Sequence, residues 1–186
     1  MTVKEIPVDI RCLEYRQNKE DADYGSCLYA RFYFNLERYE LSIVSDCGNY
    51  GYKWVETPEH ESFLELMGRI GEEYLLNKLC GSPKEFDYEA TKEHFYDYYG
   101  EEDHAREILD RIFENIEDEY EPCSGEDFLR MFDEENYDDN PMSAYFSDTW
   151  EFPVYVYNPS QKRICRVFKE NIQPKIREIL KEGEVK

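Results

Sequence analysis

The side chains of this sequence with the greatest capacity for chemistry are its carboxylates. The chain has 43 Asp and Glu residues against 22 Lys and Arg residues, and its net charge is −21. Two clusters, Asp133-Glu134-Glu135 and Asp138-Asp139, offer the oxygen ligands that hold Mg²⁺ or Mn²⁺ in metal-dependent nucleases. Such enzymes also need Lys or Arg beside the metal to hold the substrate phosphate, and few bases lie nearby. A solvated acidic face is therefore the favoured interpretation, and a metal-dependent nuclease is the alternative.

The cysteines and histidines show no spacing typical of a catalytic or metal site. Six cysteines occur without a C-x-x-C pair, and the three histidines form no H-x-x-x-H pair, so we predict no metal and no cofactor. No nucleophile motif accompanies the histidines, so no catalytic residue is predicted. Cys47, in the turn Ser45-Asp46-Cys47-Gly48-Asn49, is interpreted as a small buried residue rather than as a reactive thiol.

A row of acids on one predicted helix has a spacing that suits recognition. Between residues 103 and 119 apolar residues recur at i, i+1, i+4, i+5 and i+8, which predicts a helix with one buried face. Acids on the opposite face stand three or four positions apart, with Cβ atoms about 5–6 Å from one another. This spacing is comparable with the phosphate repeat of a single nucleic-acid strand, so an exposed row can imitate that backbone. A solvated face without a partner is the competing interpretation. The predicted partner-binding acids are those of this helix and of the two clusters: Glu107, Asp110, Glu114, Glu117, Asp118, Asp133, Glu134, Glu135, Asp138 and Asp139.

The net charge restricts the classes of partner. A strongly negative surface repels phosphates, so we expect no direct binding to a DNA backbone. The same surface attracts basic proteins and speeds their encounter at low salt, although solubility alone would also explain it. The N-terminus, MTVKEIPVDIRC, lacks the apolar region of a signal peptide, and no apolar run approaches the length of about 20 residues that spans a bilayer. We therefore predict a cytoplasmic protein with reduced thiols and no membrane contact.

The first part of the chain is rich in β-forming residues and turn signals, which predict an antiparallel meander. In the first strand, every second residue from Ile6 to Cys12 lies on one side. A further strand, Phe152–Tyr157, is expected to return to the edge of this sheet, because Pro153 cannot donate to a central ladder. The strands of the meander are predicted over Val3–Tyr15, Ser26–Leu36, Tyr39–Ser45 and Tyr50–Val55.

Helix signals occupy the rest of the chain. Thr57-Pro58 predicts a helix that continues to Leu79. Glu85–Asp139 contains 22 acids and four bases but keeps helical periodicity, so we predict folded acidic helices rather than a disordered tail. Asn158-Pro159-Ser160 starts a C-terminal helix, with a kink or break expected near Pro174. Within the acidic stretch, helices are predicted over Tyr88–Tyr99, over Asp103–Glu119 and after a capping box at Ser124.

These elements combine into an α+β fold. We predict a single domain over residues 1–186, with an antiparallel sheet of about four to five strands packed with several helices. The acidic helices form an insertion over residues 85–139, and the chain closes with its C-terminal helix.

Two stretches carry a resemblance to a known group of proteins. Arg31–Leu79, above all Ser45–Trp54 and the following ESFLELMGRI, resembles small acidic proteins carried by phages and prophages of Gram-positive bacteria. The ending YNPSQKRICRVFKENIQPKIREIL is similar to the C-terminal strand and helix of the same proteins. Some members of this group are anti-CRISPR inhibitors of type II-A Cas9. The resemblance implies a phage-encoded protein that acts in the cytoplasm of a bacterial host.

Resemblance and charge lead to one functional hypothesis. Cas9 holds its guide RNA and target DNA in positively charged channels, which an acidic protein can occupy. We therefore expect a non-enzymatic anti-CRISPR protein that binds Cas9 or its guide RNA complex, by acidic mimicry or by blocking a nucleic-acid channel. The alternatives are a metal-dependent nuclease or accessory enzyme acting on guide RNA, and a phage replication accessory or structural protein.

Overall fold

A computed structural model describes residues 3, 5–56, 62–136 and 144–184, and of Glu184 it describes the backbone alone. The chain divides into two units. The first unit consists of Met1–Ser82 and Asn158–Lys186, and the second unit consists of Pro83–Tyr157. The α+β fold class is confirmed. The second unit contains all of the predicted acidic insertion, residues 85–139, whereas the prediction of a single domain stays a prediction.

The first unit is built on a four-stranded antiparallel meander in the order β1-β2-β3-β4, as predicted. Ala30, Phe32 and Phe34, at alternate positions of β2 (Tyr29–Asn35), are fully buried. Leu41 and Ile43 extend the same buried face into β3. The strands are β1 (Ile10–Arg16), β2 (Tyr29–Asn35), β3 (Glu40–Ser45) and β4 (Gly48–Lys53).

Strand β1 begins later than its pattern predicts. The side that carries Ile10 and Cys12 is exposed, and the half-buried side carries Leu13 and Tyr15. The register explains this choice, because Leu13 lies opposite the buried Phe32 of β2. Residues directly opposite in an antiparallel pair share a face of the sheet, so β2 decides which side of β1 is covered.

Two helices replace the single helix predicted to run to Leu79, so that prediction is wrong. Helix α1 spans Phe63–Arg69 and helix α2 spans Glu72–Cys80. Ile70, between them, has an extended ψ of 145°, and the Gln173 side chain donates hydrogen bonds to the carbonyls of Met67 and Ile70 at 3.0 and 2.9 Å. A buried side chain from a distant helix thus satisfies carbonyl groups at the end of α1.

The start of α1 also differs from the prediction. Ser62 is the N-cap, and it forms a reciprocal capping box with Glu65. The predicted start at Thr57-Pro58 lies outside the described residues.

The C-terminal helix of the first unit follows its sequence signals. Helix α6 (Pro159–Val167) has Asn158 as N-cap and Pro159 in its first turn. A π-helical segment, Phe168–Ile172, connects it to helix α7, Gln173–Glu184. The irregularity predicted near Pro174 is a π-helical segment that ends two residues before that proline, and π-helical segments are a common cause of helix kinks.

The second unit combines a short two-stranded sheet with three helices. Strand β6 (Val154–Val156) pairs antiparallel with β5 (Glu85–Asp87), so the predicted return of Phe152–Tyr157 to the larger sheet is wrong. The pattern of a short strand does not identify its partner, and the three-residue β5 carried no strand signal of its own. The elements are β5 (Glu85–Asp87), α3 (Tyr88–Tyr99), α4 (Asp103–Glu119), α5 (Gly125–Glu135), a 3₁₀ turn (Thr149–Glu151) and β6 (Val154–Val156).

An aromatic core holds the second unit together. Phe95 of α3 is fully buried, and its ring stacks on Phe132 of α5 and on Phe152, with centroids 4.4 and 4.2 Å away. Phe113 of α4 meets the same ring edge-on at 5.9 Å. All three helices therefore depend on one ring. Among the described residues, no helix is long and apolar enough to span a membrane.

Replacing the central ring tests this arrangement. We expect Phe95→Ala to lower the free energy of unfolding by about 3–5 kcal/mol, because it removes the ring and leaves a cavity. Urea unfolding followed by circular dichroism measures the loss. Tyr98→Ala on the same helix is the control, since Tyr98 is 69% exposed and should lose far less. Equal losses in both variants would contradict the proposed role of Phe95.

Candidate acidic interface

The negative charge of the protein is concentrated in the second unit. Residues 83–157 contain 24 acids and five bases, a net charge of −19, whereas the remaining residues carry only −2. The two units therefore differ in electrostatic character as well as in fold. A basic partner would be attracted to the second unit.

Helix α4 presents an ordered row of these acids. The predicted apolar stripe is buried, and all five predicted acids of the helix are exposed, so both parts of the pattern are confirmed. At 3.6 residues per turn these acids fall within a sector of about 100° opposite the buried stripe. The row consists of Glu107, Asp110, Glu114, Glu117 and Asp118.

The five acids of the row differ in their internal partners. Asp110 accepts a hydrogen bond from the Tyr96 hydroxyl at 2.7 Å, and Glu117 accepts from Lys92 Nζ at 2.5 Å. Within the described part of the chain, Glu107, Glu114 and Asp118 have no hydrogen bond or ion pair. At 1.5 Å per residue, about 10 Å along the helix axis separate Glu107 from Glu114, and about 6 Å separate Glu114 from Asp118. Three carboxylates of one helix face are thus available to an external cation.

Two of the four basic residues of the acidic stretch contact tyrosine rings. Arg106 lies 5.8 Å from the ring centre of Tyr96, and Arg111 lies 5.5 Å from that of Tyr145. These cation–π contacts hold two guanidinium groups on tyrosines instead of on the carboxylates of the row. The sequence pattern identified these bases but gave no signal of their partners.

The acids of α5 are held apart by separate partners. Asp133 accepts a hydrogen bond from Thr149 at 3.2 Å, Glu134 pairs with Arg130 at 3.2 Å, and Glu135 accepts from Asn115 at 2.7 Å. Asp138 and Asp139 lie outside the described residues. The structure therefore joins Asp133, Glu134 and Glu135 to three different side chains, and it does not bring them together around one point.

Potential metal ligands converge elsewhere. Among the described residues, three ligand atoms within 4.8 Å of one another occur in a single group, formed by Cys27, Asp46 and Cys47 of the first unit. The carboxylates considered for a metal-dependent nuclease do not form such a group within these residues. Cys47 is buried, as its turn sequence predicted.

A polar cluster that the sequence pattern missed joins the end of α4 to the start of α5. Ser124 caps α5 by accepting from the backbone N–H of Asp127. The Asp127 carboxylate does not complete a capping box but accepts from the Tyr120 hydroxyl at 2.8 Å and pairs with Arg130 at 3.0 Å. These two contacts hold the pKa of Asp127 below its usual range. The spacing resembled a capping box, and only the fold brings Tyr120 into reach.

Exposed aromatic side chains lie beside the acids of this unit. Tyr98 is 69% exposed and Trp150 is 67% exposed. Tyr98 lines a cleft of about 180 Å³ together with His94, Asp148 and Glu151, and Trp150 lies between the last two in sequence. Large aromatic residues next to carboxylates are typical anchors for the Lys and Arg side chains of a partner.

Comparison with known proteins identifies the origin of the chain. A family model described as a phage family matches residues 1–182. The chain belongs to this phage protein family. The match runs through both units, so the acidic second unit is part of the family sequence. Comparison with curated proteins and comparison with solved structures gave no match.

The tyrosines of the acidic unit give this phage protein a predictable alkaline response. Burial raises the pKa of Tyr88 and of Tyr96, and the neighbouring carboxylates of Glu117 and Asp110 raise them further. An unfolded chain loses these protons near pH 10, below the pKa of the folded protein. The folded state then binds more protons, so stability is retained below about pH 10 and falls as the pH rises further.

We therefore expect the free energy of unfolding to decrease between about pH 9.5 and 11, with a smaller decrease in the Tyr88→Phe/Tyr96→Phe double variant. Urea unfolding at a series of pH values measures both slopes. Tyr98→Phe is the control, because Tyr98 is exposed. A double variant with the same slope as the unaltered protein would contradict the assignment.

Proposed function

We propose that this phage protein inhibits a basic nucleic-acid-handling protein of its bacterial host by binding it through the acidic second unit. The observation that carries the proposal is the uneven charge, with −19 of the net −21 on residues 83–157. A folded, strongly negative unit fits a surface that evolved to hold phosphates. Binding, and not catalysis, is the proposed activity.

The row on α4 supports this proposal by its geometry. Glu107, Glu114 and Asp118 have no internal bond among the described residues, so a partner's Lys or Arg need not displace one. The opposite side of the helix is buried, which fixes the row on a rigid support. Charges that are positioned before binding lose little conformational freedom when the complex forms.

The cleft beside Tyr98 supplies a second kind of contact. Acids alone give long-range attraction that salt weakens. Exposed aromatic rings add contact area, which makes Tyr98 and Trp150 the proposed anchors of the complex. The proposed interface therefore combines steering by carboxylates with local packing by aromatic residues.

Type II-A Cas9 is the first proposed partner. The resemblance of Arg31–Leu79 and of the C-terminal ending to a group that includes Cas9 inhibitors supports this choice. The family match supports a phage protein and names no target, so the choice of Cas9 rests on the resemblance and on the charge. In Cas9 the acidic unit would occupy a channel for guide RNA or target DNA and so prevent guide loading, PAM recognition or target entry.

Neutralising the free acids of α4 tests the interface. We expect the variant Glu107→Gln/Glu114→Gln/Asp118→Asn to bind Cas9 about 3- to 150-fold more weakly, since each of the three exposed ion pairs contributes about 0.2–1 kcal/mol. Raising the salt concentration should weaken the binding of the unaltered protein to Cas9 more than that of the variant. Size-exclusion chromatography detects the complex, and a titration with labelled protein measures Kd, with and without guide RNA.

The control variant removes the same charge from the first unit. Glu20→Gln, Glu37→Gln and Glu170→Gln change three exposed acids there and should leave Kd almost unchanged. Equal weakening in both triple variants would overturn the α4 interface and leave only a non-specific charge effect. Absence of a complex with Cas9 in any condition would remove this partner from the proposal. Mg²⁺-dependent trimming of guide RNA would favour the nuclease alternative.

A further inference from the structure

Two cysteines and one aspartate meet at one end of the meander. Cys27 lies just before β2, and Asp46 and Cys47 lie in the turn between β3 and β4. The two Sγ atoms and a carboxylate oxygen of Asp46 all lie within 4.8 Å of one another. Cys27 is fully buried, Cys47 is buried and Asp46 is exposed, so the group is open to solvent on its carboxylate side.

The backbone around this group is held by specific contacts. Asp46 accepts hydrogen bonds from the backbone N–H of Leu28 at 2.8 Å and of Tyr29 at 3.3 Å. The Tyr50 hydroxyl donates to the Cys47 carbonyl at 2.7 Å. Gly48 has a φ of +113°, and an added Cβ there would lie 2.8 Å from the Tyr50 hydroxyl oxygen. The turn therefore requires glycine, and its geometry fixes where Cys47 and Asp46 stand relative to Cys27.

We propose that Cys27, Asp46 and Cys47 form a binding site for a thiophilic divalent cation of the Zn²⁺ class. Two thiolates and one carboxylate are ligands of the types that proteins use for Zn²⁺, and water can take the fourth position on the exposed side. With metal–sulfur bonds of about 2.3 Å and tetrahedral angles, the two sulfur atoms would stand about 3.8 Å apart. The two sulfur atoms need to approach each other by no more than about 1 Å, which side-chain rotation can supply.

Binding of the cation displaces the protons of both thiols. In the metal-free protein both thiols act as donors, Cys47 to the Ser26 carbonyl at 3.1 Å and Cys27 to the Tyr29 carbonyl at 3.7 Å. Binding of one divalent cation forms two metal–thiolate bonds and releases two protons to solvent. Because both thiols must lose a proton to bind the cation, its affinity should increase with pH.

Arg163 offers a compensating charge for the loaded site. Two thiolates, one carboxylate and a divalent cation carry a net charge of −1. The positive charge of Arg163 acts on Cys47 in the direction that favours its thiolate. Arg163 pairs with Asp23 at 2.6 Å, and its buried Nε has no acceptor among the described residues. The environment of the thiols therefore contains the positively charged guanidinium group of Arg163 as well as the Asp46 carboxylate.

A disulfide between Cys27 and Cys47 is the competing use of the same atoms. That reaction requires an external oxidant and a thiolate that can reach it. Both thiols are buried and have raised pKa values, which slows attack on a disulfide or a peroxide. The Asp46 carboxylate also has no role in a disulfide, whereas it completes a set of metal ligands.

Titration of the full chain with Co²⁺ tests the site, because thiolate–cobalt bonds give intense near-ultraviolet absorption. The protein is first reduced with a phosphine that contains no thiol. We expect saturation at one Co²⁺ per chain, displacement by Zn²⁺ and tighter binding at higher pH. Cys27→Ser and Cys47→Ser should each weaken Zn²⁺ binding by more than about 100-fold, since even outer-shell changes cost about 10- to 100-fold.

Cys165→Ser is the matched control, because Cys165 is also fully buried but lies outside the group, and it should keep the absorption. Asp46→Asn alters the exposed member of the site and tests it if either cysteine variant does not fold. It should bind Zn²⁺ at least about 10-fold more weakly.

The proposal is overturned if the unaltered protein shows no thiolate–cobalt absorption, or if Cys27→Ser and Cys47→Ser keep it. A second result would also overturn it. Mass spectrometry would find a Cys27–Cys47 disulfide in the reoxidised protein, and the same protein would take up no metal once that disulfide is reduced. None of these outcomes bears on the acidic interface, which belongs to the other unit.

Discussion

The second unit depends on aromatic packing beneath a surface that repels itself. Its net charge of −19 disfavours a compact state, because exposed carboxylates gain distance from one another when the chain unfolds. Salt and water screen that repulsion, whereas burial of rings is not screened. The Phe95 ring stacks on Phe132 and Phe152, and it brings α3 and α5 together under the charged surface. The acidic surface can therefore persist in a folded unit.

The few bases of this unit are placed so that part of the charge stays available. Lys92 and Arg130 pair with carboxylates, but Arg106 and Arg111 lie over tyrosine rings. This distribution stabilises the helices locally and leaves three acids of α4 without an internal partner in the described part of the chain. An acidic surface with few internal ion pairs attracts external cations, and the proposed function rests on this property.

The two units separate two kinds of chemistry. The first unit is nearly neutral and places soft thiol ligands at the end of a meander, where the turn geometry is strict. The second unit has the exposed acids and the aromatic anchors. The proposed cation site of the first unit binds through buried sulfur at fixed distances, whereas the acidic face of the second unit acts through solvent and is sensitive to salt. A change in one unit can therefore be measured without assuming a role for the other.

The local signals of the sequence were sufficient where the physical cause is local. The buried stripe and acidic row of α4 follow from helical periodicity, and the start of α6 follows from Asn158 and Pro159. Tertiary structure decided the features that depend on distant residues. The covered side of β1 is set by its pairing with β2, and α1 ends where the Gln173 side chain reaches its carbonyls. Cys27 and Cys47 stand 20 positions apart and lack the close spacing of a zinc motif, so only the pairing of β2 with β3 reveals that they meet. Periodicity shows which residues are buried, but it does not show which segments meet.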